Sequence, residues 1–486
     1  MNPADNLSRR DFLKLGGVAA GMLATSGLVG SALAGENQTR PNILMVMVDT
    51  LRADHVGCYG YGSPTTPTID ALAKEGMRFE NAFSASSWTT PSVMSAFTSL
   101  LPREHGVVDT TRTLPGKVTT LAWQLRQHGY HTCAVLCNPC ASAKMGFDSG
   151  FDVYDDFTIL LNTELNVFDV MGESGQRSIN TVTTSREIAD LSLKYLRQSP
   201  DNKPWFMFVL LFDPHADYVP PRRYARMFDT GYHGKASGQV YGLGGNCQTI
   251  QWPDKADRDH VISLYNGEIR YADDELGRFL QLAKAEKLLN DNTLMVVTAD
   301  HGEEFNEHGG STHGHSLYEE LVRIPLVMRW PGRIPAGKVC PAQVQSIDLA
   351  PTLLSLIGAP AAQGFGGRDL SPLLNGSGTL DREKIMLHTH LNQGVAAVRT
   401  PQLKVIEQLG SGEVSGFDLR NDPLEQEPLA GEALRQHAQL APLAAELVKW
   451  NSEAATAFSK RKAEHKAKPQ LTAQQIKALK AMGYVH

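Results

Sequence analysis

Residues 41–50 read PNILMVMVDT, an uninterrupted apolar run closed by a carboxylate. A strand with water on one face alternates apolar and polar residues. A run that is apolar at every position belongs to a strand buried on both faces, as in a parallel sheet covered by helices. Asp49 then stands at the carboxyl end of the strand, the side on which open α/β sheets hold their ligands. Two runs of the same kind follow, WFMFVLLF at 205–212 and TLMVVT at 293–298. The first leads into Asp213-Pro214-His215 and the second into Asp300-His301. One polar residue past a buried strand is commonplace. A carboxylate or imidazole past all three predicts an α/β fold with a site where the strands end.

Around these runs the apolar periodicity predicts helices at 67–77, 121–128, 185–198 and 260–289, with shorter strands at 78–82 and 131–136. The 78–82 strand leads to SASSWTTPSVMSAFTSLLPREHG, residues 84–106. Pro91 supplies a φ suited to the first turn of a helix, and Val93, Met94, Ala96, Phe97 and Leu100 form an apolar stripe behind it. Thr89, placed just before that turn, has its hydroxyl beside unpaired N–H groups at the positive end of a helix dipole, a position that favours anions. Taken alone, Thr89 is an ordinary N-cap threonine. Beside Asp49, His215, Asp300 and His301 it becomes a candidate nucleophile. Oxygens from Asp49 and Asp300 with a nitrogen from His301 suit a hard or borderline divalent cation.

The N-terminus carries an address. Ser8-Arg9-Arg10-Asp11-Phe12-Leu13-Lys14 is a twin-arginine signal, followed by a Gly/Ala-rich run and a small-x-small site at Ala32-Leu33-Ala34. Residues 1–34 are therefore read as a signal peptide, with the Tat translocon as a partner during export and the periplasm or beyond as destination. The 486 residues, 42% hydrophobic and 20% charged, suit a large globular core with an appendage. A net charge of −6 argues against a nucleic-acid partner and supplies no membrane-binding patch. The six cysteines make no disulfide scaffold; Cys137 and Cys140 form a lone C-x-x-C and read as buried thiols or one opportunistic disulfide. Nothing in the sequence indicates an oligomeric state.

PNILMVMVDTLRADHVGCYGYG, the T-x-P-S helix start, TSLLPREHG, DPHADYVPP, DHGEEFNEHGG, HGHSLYEELVRIPL and DLAPTLLSLIG, in that order, resemble the sulfatase family of the alkaline phosphatase superfamily over residues 40–430. The resemblance implies an α/β/α sandwich around a mostly parallel mixed sheet, with a smaller C-terminal α+β subdomain. It places Asp49, Asp300 and His301 on metal-ligand positions and Thr89 on the nucleophile. His215 and His313 fall where the family contacts the ester oxygens or protonates the leaving group, and Asn138 and His315 are candidate substrate contacts. The expected organisation is a catalytic domain at 35–380, a small antiparallel subdomain at 381–430 and a helical tail at 431–486.

The chain also departs from the family pattern. The usual C-x-P-x-R, whose cysteine or serine becomes formylglycine, is here Thr89-Thr90-Pro91-Ser92-Val93. Threonine cannot follow that route, so no formylglycine is expected. Thr50 replaces a second aspartate, and His313 or His315 replaces a lysine. These departures resemble an unmodified, threonine-using branch whose relatives act on phosphate esters. A formylglycine hydrate expels sulfate by collapsing to the aldehyde; a threonine ester must be hydrolysed at its central atom, which metal-assisted attack on phosphorus does readily. Phosphate mono- or diesters or phosphonate esters are the first substrate class expected, sulfate esters the second, and non-catalytic binding of an anion the third. One divalent cation is expected, of calcium, magnesium, manganese or zinc without distinction. Asp229 and His233 have the spacing of a second-metal pair, but lie in a Gly-rich stretch rather than at a strand end. The alcohol side of the ester is expected to be read by irregular insertions at 157–180 and 229–250.

Past residue 383, short strands at 385–389, 395–399 and 403–407 suit a small antiparallel sheet. Residues 432–464 read as helical, and Thr472 to Gln475 forms a capping box for a last helix at 473–482.

Overall fold

The computed structural model describes residues 40–156, 184–229, 231–240, 247–380, 382–391 and 394–462. The leader, the 157–180 insertion and the 473–482 helix lie outside them. In chain order the first strands are β1 (Asn42–Val48), β2 (Met77–Phe83), β3 (His131–Val135), β4 (Val153–Asp155), β5 (Trp205–Leu211) and β6 (Thr293–Ala299). A two-stranded hairpin, β7 (Glu304–Phe305) and β8 (Ser311–Thr312), precedes β9 (Arg323–Ile324), β10 (Leu326–Arg329) and β11 (Lys338–Gln345). Nine of these form one mixed sheet in the order β11-β2-β10-β6-β1-β5-β3-β4, with β9 on β2. The strands read as apolar runs are its centre: β1 pairs in parallel with β5 on one side and β6 on the other.

β5 illustrates why these strands are apolar throughout. Phe208 meets Phe97 edge to face at 4.8 Å, so the even positions face the Thr89–Thr98 helix. Leu211, of opposite parity, lies with Ile69, Ile269 and Leu276 of the Pro67–Glu75 and Lys255–Ala285 helices. Each strand position therefore removes a side chain from water, and burial of each large one is worth about 1.5–3 kcal/mol.

The helix expected at 260–289 spans Lys255–Ala285, its polar first turn having hidden its start. The Thr89–Thr98 helix begins at Thr89, with Trp88 as its N-cap. Thr89 thus lies inside the first turn rather than ahead of it. Pro91 is accommodated as the third residue because the first four helical N–H groups have no intrahelical acceptor to lose.

Strands β12 (Ile385–Thr389), β13 (Val395–Arg399), β14 (Leu403–Gln408), β15 (Glu413–Asp418) and β16 (Leu429–Ala430) form a second, antiparallel sheet. One face packs Ile385, Leu387, Ala397 and Phe417 on Phe83, Leu321 and Val322 of the larger unit. The other packs Ala396, Val398 and Val405 under Leu440, Leu443 and Leu447 of the Leu440–Lys462 helix. The helical reading of 432–464 resolves into that helix and a short one at Gly431–Gln436. Lys404, wholly buried, pairs with Glu319 at 3.1 Å and with Glu425 at 2.9 Å. Against the upward push of burial, Lys404 and Arg399 hold Glu319 at about 2.

His308 ties the loop after β6 to this sheet. Its Nδ1 lies 2.6 Å from Glu320 Oε1, and its Nε2 lies 3.1 Å from the carbonyl oxygens of Leu424 and Glu425. Only an imidazolium donates at both nitrogens. Against burial, Glu320, Glu425 and Glu304 lift its pKa to about 8. A pKa raised on folding from the usual 6.5 contributes stability that is complete below pH 6.5 and lost as pH rises through 8. His308→Gln should therefore cost about 1 kcal/mol at pH 6, solvent screening allowed for. The deficit should shrink toward zero by pH 9 in denaturant titrations; a pH-independent deficit would exclude the charged form.

Candidate active site

The ends of the three central strands meet the start of the Thr89–Thr98 helix. Asp49 follows β1 directly, and Asp300 follows β6 directly. Asp49, Thr89, Asp300 and His301 are all buried. His301 Nε2 lies 3.6 Å from Asp49 Oδ1, 3.4 Å from Asp300 Oδ2 and 3.4 Å from Thr89 Oγ1. His301 Nδ1 is 2.9 Å from the carbonyl oxygen of Gly302, which only accepts. The ring proton is thereby fixed at Nδ1, and a lone pair at Nε2 faces the two aspartates.

Donor chemistry tests whether this set suits a cation. Asp49 Oδ1 and Asp300 Oδ2 are buried with no hydrogen-bond partner, and these two atoms are the ones turned toward His301 Nε2. The other carboxylate oxygens are used: Asn138 Nδ2 donates to Asp49 Oδ2 at 2.5 Å, and Thr50 N and His301 N donate to Asp300 Oδ1 at 3.2 and 2.9 Å. Burial and the charge of Asp300 raise the Asp49 pKa well above normal, and burial pushes Asp300 to about 7. Two buried carboxylates facing one lone pair, with no counter-charge between them, fit a divalent cation. Among the described residues a second group, Glu304, His308 and Glu320, is also close enough to be considered. There the atoms are occupied: Glu304 Oε1 accepts from the N–H groups of His308 and Gly310, and His308 is engaged as above.

Asn138, just beyond β3, also donates to Thr89 Oγ1 at 3.3 Å, while its Oδ1 accepts from Cys140 N at 2.8 Å. That second bond fixes the amide so that its N–H groups face Thr89 and Asp49.

Beyond β5, Asp213 caps the Ser185–Gln198 helix through the N–H of Ser185 at 2.7 Å. This leaves His215 to reach the site. Its ring packs edge-on to His313 at 4.9 Å, and His313 packs on His301 at 4.5 Å. His215 Nδ1 lies 2.7 Å from the Ala216 carbonyl oxygen, so its Nε2 also carries a lone pair. Burial, then His313, lowers its pKa to about 3.

His313 is held differently. Across the β7–β8 hairpin Glu304 faces Thr312 and Phe305 faces Ser311, so the next pair outward is Glu303 with His313. Glu303 Oε1 lies 2.8 Å from His313 Nδ1, both side chains buried. Burial pushes Glu303 up to about 8 and His313 down to about 3, so both favour an uncharged pair. His315 is instead engaged by Glu304 Oε2 at 2.7 Å, which makes His313 the histidine that joins the cluster. Glu303 escaped the sequence reading; a cross-hairpin carboxylate–imidazole pair was the signal available. Asp229 and His233 are exposed, and Asp229 Oδ1 accepts from Gly231 N. Five described cysteines, including Cys137 and Cys140, are free thiols.

Comparison with known proteins identifies the family. The family description Sulfatase matches residues 41–359, and that of the C-terminal part of N-sulphoglucosamine sulphohydrolase matches residues 307–453. A twin-arginine translocation signal matches residues 6–26, so the chain is exported by that route to the periplasm or beyond. No helix among the described residues is long and apolar enough to cross a membrane. An uncharacterized sulfatase of Escherichia coli K12, YidJ, is 26% identical over 80% of this chain and 83% of its own. An N-acetylglucosamine-6-O-sulfatase of Bacteroides thetaiotaomicron is 25% identical over 82% of this chain and 84% of its own. The phosphonate monoester hydrolase structure of Agrobacterium radiobacter superposes with a TM-score of 0.69 at 20% identity, covering 86% of this chain and 96% of that one.

Proposed function

The chain belongs to the sulfatase family and is a hydrolase of sulfuric or phosphoric esters, and we propose that it acts on phosphate mono- or diesters or phosphonate esters with unmodified Thr89 as nucleophile. The observation that carries this reading is the position of the Thr89 hydroxyl: it sits in a helix's first turn, 3.4 Å from His301 Nε2, in a chain with no cysteine or serine at that position.

Asp49, Asp300 and His301, with the Thr89 hydroxyl, would hold one divalent cation. Such a cation, when bound, lowers the pKa of a neighbouring hydroxyl and neutralises charge on the ester oxygens. The remaining chemistry belongs to the chain. Thr89 Oγ1 loses its proton to solvent and forms a bond to the central atom as the bond to the alcohol oxygen breaks. The helix start places N–H groups toward the equatorial oxygens. The departing oxygen keeps the electron pair and needs a proton. His215 presents a lone pair and accepts; His313 is the donor. In the second half, water attacks the threonine ester, His313 recovers its proton from that water, and Thr89 is released.

His313→Ala should slow alkyl esters by roughly 100-fold or more and nitrophenyl esters by less than about 3-fold, because a good leaving group departs unprotonated. His215→Ala should lack that dependence. Equal losses on both ester types for His313→Ala would remove it as the acid.

A second reading, sulfate ester hydrolysis through the same residue, is favoured by curated relatives such as the N-acetylglucosamine-6-O-sulfatase of Bacteroides thetaiotaomicron. Purified exported protein should be assayed side by side on aryl sulfate, aryl phosphate, phosphate diester and phosphonate ester, and its intact mass recorded. The expected result is greater turnover of a phosphorus ester by protein whose residue 89 has the mass of threonine. Faster sulfate hydrolysis selects the second reading. An oxidised residue 89, or activity only with a co-expressed maturase, overturns the unmodified nucleophile.

A further inference from the structure

The Leu440–Lys462 helix carries two apolar stripes, and the C-terminal sheet covers one of them. Leu440, Leu443 and Leu447 are buried against that sheet. Ala441, Ala445, Val448 and Ser452 follow one another at spacings of four, three and four, which is a second face of the same helix. Ala445, Val448 and Ser452 are exposed, Val448 at 44%. With Val414 of β15 and Leu434 of the Gly431–Gln436 helix they line a groove of about 1140 Å³. The side chains on that face are short, so a second backbone can approach closely.

We propose that this groove is the seat of the chain's own residues 473–482, folded back as a helix antiparallel to Leu440–Lys462. The stretch LTAQQIKALKAMGYV at 471–485 opens on a capping box and sets Ile476, Leu479 and Met482 on one helical face, with Lys477 and Lys480 off it. Alone in water a helix needs about 12–15 residues to be even marginally stable, so one of about ten needs an apolar surface to lie on. The groove offers that surface on the element that directly precedes the segment in the chain.

Length and direction agree. Pro469 lacks an N–H and disfavours a helical residue before it, so the long helix does not run on into the capping box. The groove reaches along the long helix as far as Glu453, which lies about 14 Å back along the axis from Lys462. Residues 463–472 extend over as much as about 33–36 Å, enough to make that return. The docked helix would be about 15 Å long, against about 18 Å between Ala441 and Glu453. At about 10–12 Å across it fills roughly 1200–1700 Å³. The groove therefore takes most of it and leaves the lysine side to water.

Hydrogen exchange on the full-length exported protein, read by mass spectrometry, tests the docking. Amides of 473–482 should exchange at least about 10-fold more slowly than in an unstructured peptide. Leu479→Asp should return them to within about 2-fold of the unstructured rates. Val448→Asp should do the same from the other side of the contact, although it lies outside the segment. Val448 is already exposed, and the substitution leaves the sheet-facing leucines alone. Ala445→Glu carries the same expectation should Val448→Asp fail to fold. Turnover should stay within about 2-fold of wild type in all three variants, since none of these residues belongs to the Thr89 site. Free exchange across 473–482 in the wild type, or protection that survives both groove substitutions, would overturn the proposal. Protection that rises with protein concentration, alongside a dimer in sedimentation, would assign the groove to a second copy and overturn it equally.

Discussion

Thr89→Ala should lower turnover by roughly 10⁴-fold or more on every substrate the enzyme accepts. The hydroxyl is expected to form and break a covalent bond in each cycle, and the other hydroxyls of that first turn, on Thr90 and Ser92, are engaged by the carbonyl oxygens of Cys140 and Asp300 at 2.6 and 2.7 Å. Folding should be almost unaffected. The hydroxyl's contacts with Asn138 and His301 are long, at 3.3 and 3.4 Å, and the lost methyl and hydroxyl leave a small void, so the cost stays within about 1–2 kcal/mol. Cation content should remain near wild type, since the substitution removes only the neutral hydroxyl and leaves Asp49, Asp300 and His301 untouched. Steady-state kinetics, elemental analysis and a melting curve on one preparation decide the matter. Near-normal turnover with alanine at 89 would end the nucleophile assignment.

Asp300→Asn should instead reduce rates on all substrates together, on the order of 10²–10³-fold, with a parallel fall in cation content. Asparagine keeps the oxygen that accepts from Thr50 N and His301 N, so the turn after β6 survives. What changes is the atom 3.4 Å from His301 Nε2, from a carboxylate oxygen to an amide nitrogen that offers no lone pair to a metal. The melting temperature adds an independent readout. In chelator the variant should match or exceed wild type, because burial and the charge of Asp300 raise the Asp49 pKa and the substitution removes that charge. With cation added the order should reverse, since only the wild type gains fully from binding. Full cation content in the variant would remove Asp300 from the ligand set.

The parts of this arrangement legible in the sequence were those set by burial alone. β1, β5 and β6 announced themselves because strands covered on both faces have no polar positions, and the residue where the apolar run stops is where the chain meets the site. β10 and β11 gave no such signal: β10 is four residues long, and β11 is exposed at three of its first four positions. Pro91 marks a first helical turn without fixing which position in that turn it takes, so the sequence sets Thr89 just ahead of a helix that in fact begins at Thr89. Glu303 and Glu304 are adjacent and chemically identical. Only hairpin pairing separates them, sending Glu303 to His313 and Glu304 to His315. Asn138 was found as a strand-end residue, but its link to both Asp49 and Thr89 depends on the close approach of β3 to the helix start.

The sheet order has a consequence for the growing chain. β1 is made first, yet its two neighbours are distant in sequence: Asn42 meets Trp205 across 163 residues, and Thr50 meets Asp300 across 250. At a synthesis rate of about 5–20 residues per second, this apolar strand waits roughly 12–50 s on the ribosome for its second partner. The export signal has already emerged throughout that interval. A nascent chain of this topology therefore needs a holding factor on its first strand until translation passes β6, and a depleted chaperone pool should show itself as aggregation of newly made chains before it shows as any loss in the mature enzyme.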